Sequence, residues 1–127
     1  MTVSSEEIDG VLRAARERGV PTFSLSTGDG AGRDAFFDAV RDALPLDPPL
    51  VSNRSWDALS DSLFGGLHAL GVDRVVVVWP DAPALCDASP TDYATAVSVL
   101  TDVSESMAEP KYTNNRPTEL SVYLASA

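Results

Sequence analysis

Val75-Val76-Val77-Val78-Trp79 is the longest unbroken apolar run in the chain. Four β-branched residues followed by an aromatic favour extended backbone. The run lacks the polar alternation of a half-exposed strand, so it reads as a strand covered on both faces. Such a strand needs cover above and below the sheet, which the helices of an α/β fold supply. Five residues are far too few to span a bilayer.

The elements on either side agree. Upstream, Trp56 to Leu70 predicts a helix with Ser55 as N-cap and Gly71 as stop, its core stripe formed by Trp56, Leu59, Leu63 and Leu67. Downstream, Pro80 and Pro83 bound the strand. Thr91 to Met107 then carries Tyr93, Ala96, Val97, Leu100 and Val103 at helical spacing. Pro110 to Pro117 reads as a polar loop. Leu120, Val122 and Leu124 alternate with Glu119, Ser121 and Tyr123, so a last strand is expected there.

Further upstream, Thr22 to Ser26 alternates as a first strand. Asp34 to Leu44 is a helix with Phe36, Phe37, Val40 and Leu44 inward, and Pro45, Pro48 and Pro49 make an irregular connector behind it. Ser4 to Arg18 opens the chain as a helix: Ser4 and Glu7 form a capping box, Ile8, Val11, Leu12 and Ala15 line one face, and Gly19 and Pro21 end it. Helical connections between strands imply parallel pairing, hence a small three-stranded parallel sheet packed with helices.

The 127 residues carry nine basic and nineteen acidic side chains, a net charge of −10. A surface so negative repels phosphate backbones and anionic membranes, so neither direct nucleic-acid binding nor membrane binding is expected. It would attract basic partners, although composition by itself favours the plainer reading that such acidity serves solubility. One cysteine, Cys86, and one histidine, His68, cannot build a disulfide, a Cys/His zinc site or a nucleophilic triad. No catalytic residue, metal or cofactor is expected. Met1 to Arg18 lacks a basic stretch followed by an apolar one, so no signal peptide is read and a cytoplasmic location is expected.

Two segments could carry chemistry. Gly28-Asp29-Gly30-Ala31-Gly32 follows the first strand, where nucleotide-binding folds cradle phosphate on helix N-terminal amides. It matches neither GxGxxG nor GxxxxGK[ST], has no lysine nearby and carries Asp29, so it reads as a plain turn. The helix from Trp56 is more informative. Asp57 and Asp61 stand one turn apart on its outer side, beside Phe64 and Gly65. Asp57 lies in the first turn, where the helix dipole favours an anion; Asp61 lies beyond that benefit. Like charges at this spacing cost a helix a few tenths of a kcal/mol, about 0.2–0.5. A catalytic carboxylate pair would want a cleft and a raised pKa, and a metal would want more oxygen ligands.

At this helix the chain resembles the barstar family. The family's Asn-x-x-Asp-Ala-Leu-x-Asp-x-Leu signature is matched by Trp56-Asp57-Ala58-Leu59-Ser60-Asp61-Ser62-Leu63, and the surrounding order of elements agrees from about Pro21 to Ala125. The resemblance implies a barstar-like α/β domain over residues 20–127, with residues 1–19 as an extra N-terminal helical extension. It implies an intracellular bacterial inhibitor of a secreted guanyl-type ribonuclease, monomeric when free and bound one-to-one to its basic partner. The acidic helix would then occupy the enzyme's active site in place of substrate phosphate. Carried over by position, the partner-binding residues are Asn53, Ser55, Asp57, Ser60, Asp61, Phe64, Gly65 and Asp102, with Asp61 in the phosphate's place. The family's tyrosine-glycine loop is here Val51-Ser52-Asn53. Ser60 replaces an aromatic and Ser62 a cysteine, while Phe64 supplies aromatic area nearby. An antitoxin or interaction module on the same scaffold, with a basic partner other than a ribonuclease, is the alternative.

Overall fold

Chain order in the computed structural model, which describes residues 1–126, follows the periodicities above with two additions, a strand at Thr2–Val3 and a helix at Ala82–Ala88, and a 3-10 turn inside the expected loop. The elements are β1 (Thr2–Val3), α1 (Ser5–Glu17), β2 (Thr22–Ser24), α2 (Gly32–Ala43), α3 (Trp56–His68), β3 (Arg74–Trp79), α4 (Ala82–Ala88), α5 (Pro90–Met107), a 3-10 turn (Pro110–Tyr112) and β4 (Glu119–Ala125). The capping box forms: Glu7 N donates to Ser4 Oγ at 3.2 Å, and Ser4 N donates to Glu7 Oε1 at 3.4 Å.

The strands lie in the order β1-β4-β3-β2, all parallel. In the central pair Val75 stands opposite Leu120, Val77 opposite Val122 and Trp79 opposite Leu124. These residues point to one face, where they join Phe36, Phe37 and Val40 of α2, Leu59, Leu63 and Leu67 of α3, Leu85 of α4 and Leu100, Val103 and Met107 of α5 in the main core. Val76, Val78, Tyr123 and Ala125 point to the other face and meet Ile8, Val11 and Leu12 of α1. The valine run is therefore covered on both sides, as its composition requires. Trp79 is fully buried, with ring centroids 5.2 Å from Phe36 and 5.5 Å from Tyr93.

The sheet has four strands, which corrects the expected three. Thr2–Val3 is too short to show alternation, yet Leu124 N donates to the Met1 carbonyl at 2.8 Å and Ser126 N to the Val3 carbonyl at 2.7 Å. The first residues thus join the sheet edge, and α1 lies across β2, β3 and β4. The second addition is α4. Pro80 and Pro83 read as breakers, but Pro83 sits in the first turn of α4, where a missing N–H leaves no bond unmade.

Candidate functional site

The acidic helix is built by its two ends and its underside. Ser55 caps it, accepting a hydrogen bond from Ala58 N at 3.1 Å. Its buried side is Leu59, Ser62, Leu63, Gly66 and Leu67, while Trp56 packs on Phe37 with centroids 5.1 Å apart and on Phe36 at 6.0 Å. That seating turns Asp57 and Asp61 outward, both exposed. Positions 57, 61, 64 and 68 follow helical neighbour spacing, so two carboxylates, Phe64 and His68 form one row along α3. Phe64 and His68 stack, with centroids 5.8 Å apart and planes 13° from parallel.

Neither aspartate has an ion-pair partner among the described residues; the pairs there are Arg41 with Asp38 and Arg74 with Glu119. Two uncompensated carboxylates on neighbouring turns create a local negative field open to solvent. Such a face can accept charge-assisted hydrogen bonds from cations on another molecule.

Phe64 is half-buried and packs against the main core, which corrects its reading as a side chain lying out on the polar face. Gly65 and Gly66 lie inside α3. They let the α2–α3 connector approach: a Cβ on Gly65 would sit 2.0 Å from the Asp47 carbonyl oxygen, and one on Gly66 2.1 Å from that of Pro45. Asp47 N donates to the Ser62 carbonyl at 2.9 Å on the same contact. Ser60 is half-buried beside the row. Asp102 is exposed on α5, which packs against α3; no hydrogen bond or ion pair ties it to the other residues of the group among the described residues.

Sequence reading placed Asn53 at the candidate surface but missed what holds it. Asn53 Nδ2 donates to Asp34 Oδ1 at 2.9 Å, and its Oδ1 accepts from Arg41 Nη2. Arg41 Nε also donates to the Leu50 carbonyl at 2.9 Å, and Arg33 Nη1 to the Arg54 carbonyl at 3.4 Å. Helix α2 therefore moors the segment leading into α3, leaving Val51 92 % exposed at its tip. No periodicity announces these contacts; the one available signal was a pair of arginines on the helix preceding an irregular stretch.

The glycine turn after β2 is occupied from within. Asp81 accepts from Gly28 N and Ser26 Oγ, each at 2.9 Å, and from Thr27 N at 3.2 Å. Partial burial pushes its carboxyl up, but these hydrogen bonds outweigh that and hold it below 3.8. Two amides of the turn, those of Thr27 and Gly28, thus already meet a carboxylate of the chain itself, and Gly32 N at the start of α2 donates to Ser89 Oγ at 2.8 Å. No group of three or more His, Cys, Asp or Glu residues is arranged to hold a metal among the described residues. No helix is long and apolar enough to cross a membrane among them.

A family model described as Barstar (barnase inhibitor) matches residues 20–125. The match spans β2 through β4 and so contains the acidic helix, its mooring and Asp102. No curated protein and no solved structure matches the chain.

Proposed function

Because the chain belongs to the barstar family, we propose that it inhibits a secreted guanyl-type ribonuclease by placing the acidic face of α3 in the enzyme's active site. The observation that carries this reading is the exposed, uncompensated pair Asp57 and Asp61 on a helix seated by Trp56 and capped by Ser55. A ribonuclease active site presents cations arranged for phosphate. A carboxylate offers the same sign of charge and acceptor oxygens at similar spacing, so Asp61 stands in for the phosphate. Asp57 and Asp102 meet cations at the margin, and Asn53, Ser55, Ser60, Phe64 and Gly65 border the contact. The net charge of −10 draws a basic enzyme toward the inhibitor from a distance. The cell that makes both proteins is thereby protected from its own enzyme in the cytoplasm, and the complex is one-to-one with a free monomeric inhibitor.

An inhibition titration against a panel of small, basic, guanyl-specific ribonucleases tests this. Stoichiometric loss of activity for at least one enzyme, at one inhibitor per enzyme, is the expected result. A panel in which no enzyme is inhibited sinks the reading in favour of a basic partner outside this class. One observation gives that second reading weight: an aliphatic Val51, not an aromatic, stands at the tip of the loop.

A further inference from the structure

Twelve residues, 44–55, separate α2 from α3 without regular structure. A free segment of that length would lose conformational entropy on docking, which weakens binding. Here it is fastened at entry by Asp47 N to the Ser62 carbonyl, and at exit by the Ser55 cap and by Arg33. Between these points the side chain of Arg41 does something neither end does. Its Nε holds the Leu50 carbonyl at 2.9 Å and its Nη2 holds Asn53 Oδ1, so one guanidinium closes the base of the loop 50–53 from both sides. Its Nη1 is braced by Asp38 at 3.0 Å. Val51 and Ser52, both exposed, are what the closed loop presents.

We propose that Arg41 is a positioning residue for partner docking: it sets the conformation of the 50–53 loop beside the acidic row before any partner arrives. The docking half of this statement rests on the reading that this loop and α3 meet a partner together. A planar fork with donors in several fixed directions is required, since one group must reach a backbone carbonyl, a side-chain amide and a carboxylate at once. An ammonium supplies the charge but cannot span the three acceptors in that geometry.

Backbone ¹⁵N relaxation in the free protein and inhibition kinetics with the panel ribonuclease held most tightly by wild type test it together. In Arg41→Ala and in Arg41→Lys, order parameters across residues 50–54 should fall from about 0.85 to below about 0.6 while Leu59 and Leu63 in α3 stay rigid. Affinity should fall about tenfold in both variants, the scale of ordering a few side chains on docking. If Arg41→Ala fails to fold, Asn53→Ala removes one arm of the clasp and should lower the order parameters of 50–54 by a smaller step; only relaxation is read on it, since Asn53 itself borders the contact. Unchanged order parameters in 50–54, or a lysine variant that binds like wild type, overturns the proposal, since the residue would then act by bulk or charge alone. A panel in which no enzyme binds wild type overturns the function reading, and the relaxation result then decides by itself whether Arg41 closes the loop.

Discussion

Asp81 Oδ2 accepts a hydrogen bond from Gly28 N at 2.9 Å, joining the turn after β2 to the turn after β3 through a carboxylate. Ser26 Oγ and Thr27 N donate to the same group, so one side chain satisfies donors 53 to 55 positions away. The ends of two neighbouring strands are thereby locked together, next to the start of α2.

Acid should release that lock. Burial raises the Asp81 carboxyl and its hydrogen bonds lower it by more, for a folded value below 3.8. A lowered folded pKa means the stabilisation is fully present above the unfolded value and is lost as pH falls through the folded one. Wild type should therefore lose this contribution only below about pH 4. Asp81→Ala should destabilise at neutral pH by about 1–3 kcal/mol, because two backbone donors lose their acceptor. Thermal unfolding against pH checks both: the gap between wild type and variant should narrow in acid, and a gap independent of pH would contradict the ionised role.

Two glycine substitutions should act in opposite directions. Gly65→Ala would drive a Cβ against the Asp47 carbonyl oxygen, a backbone atom that cannot swing away as a side chain would. A loss of about 1–3 kcal/mol is expected, with the connector displaced. Gly10 lies inside α1, and an added Cβ there meets nothing within 4 Å. Gly10→Ala should stabilise by about 0.5–1 kcal/mol. Denaturation midpoints of the two variants, taken side by side, read the opposite signs directly.

The parts of the fold that were legible in the sequence are those with a strong period or a specific cap. The valine run, the Ser4–Glu7 box, the Ser55 cap and the stripe Trp56, Leu59, Leu63, Leu67 each have a local physical cause. Thr2–Val3 was not legible, because two residues have no period and the bonds come from β4, more than a hundred positions away. In the site, the outward aspartates were legible from their offset to the core stripe. The clasp of Arg41 on Leu50 and Asn53 was not: it binds an aperiodic segment, and carbonyl positions there follow only from tertiary packing.

Residues 1–19 should prove necessary to the domain that follows them. Val78 and Ala125 are buried under α1, together with Val3 and Ile8. A fragment beginning at residue 20 loses that cover and exposes one whole face of the sheet. Each buried Val or Ile side chain is worth about 1.5–3 kcal/mol, so a fall of about 3 kcal/mol or more is expected. Chemical denaturation of the fragment beside the full chain checks it. Equal stability would mark the first nineteen residues as a separate extension.

The acidic row should show a graded dependence on its members. Asp57 lies in the first turn of α3, where the helix dipole already stabilises its charge, so its removal also costs some stability in the free protein. Asp61 lies beyond that turn, and its charge has no ion-pair partner among the described residues. Asp61→Ala should therefore leave folding intact or slightly improved, since it relieves repulsion from Asp57. Inhibition should suffer most from this variant, because each charge-assisted hydrogen bond lost is worth about 1.5–3 kcal/mol. Asp57→Ala and Asp102→Ala should weaken inhibition less. Added salt should slow association of wild type strongly and leave dissociation nearly unchanged, because screening acts on the approach and not on bonds already sealed from solvent. Measuring unfolding, association and dissociation on the three variants separates the two roles. An Asp61→Ala protein that inhibits as well as wild type would remove the acidic row from the binding site.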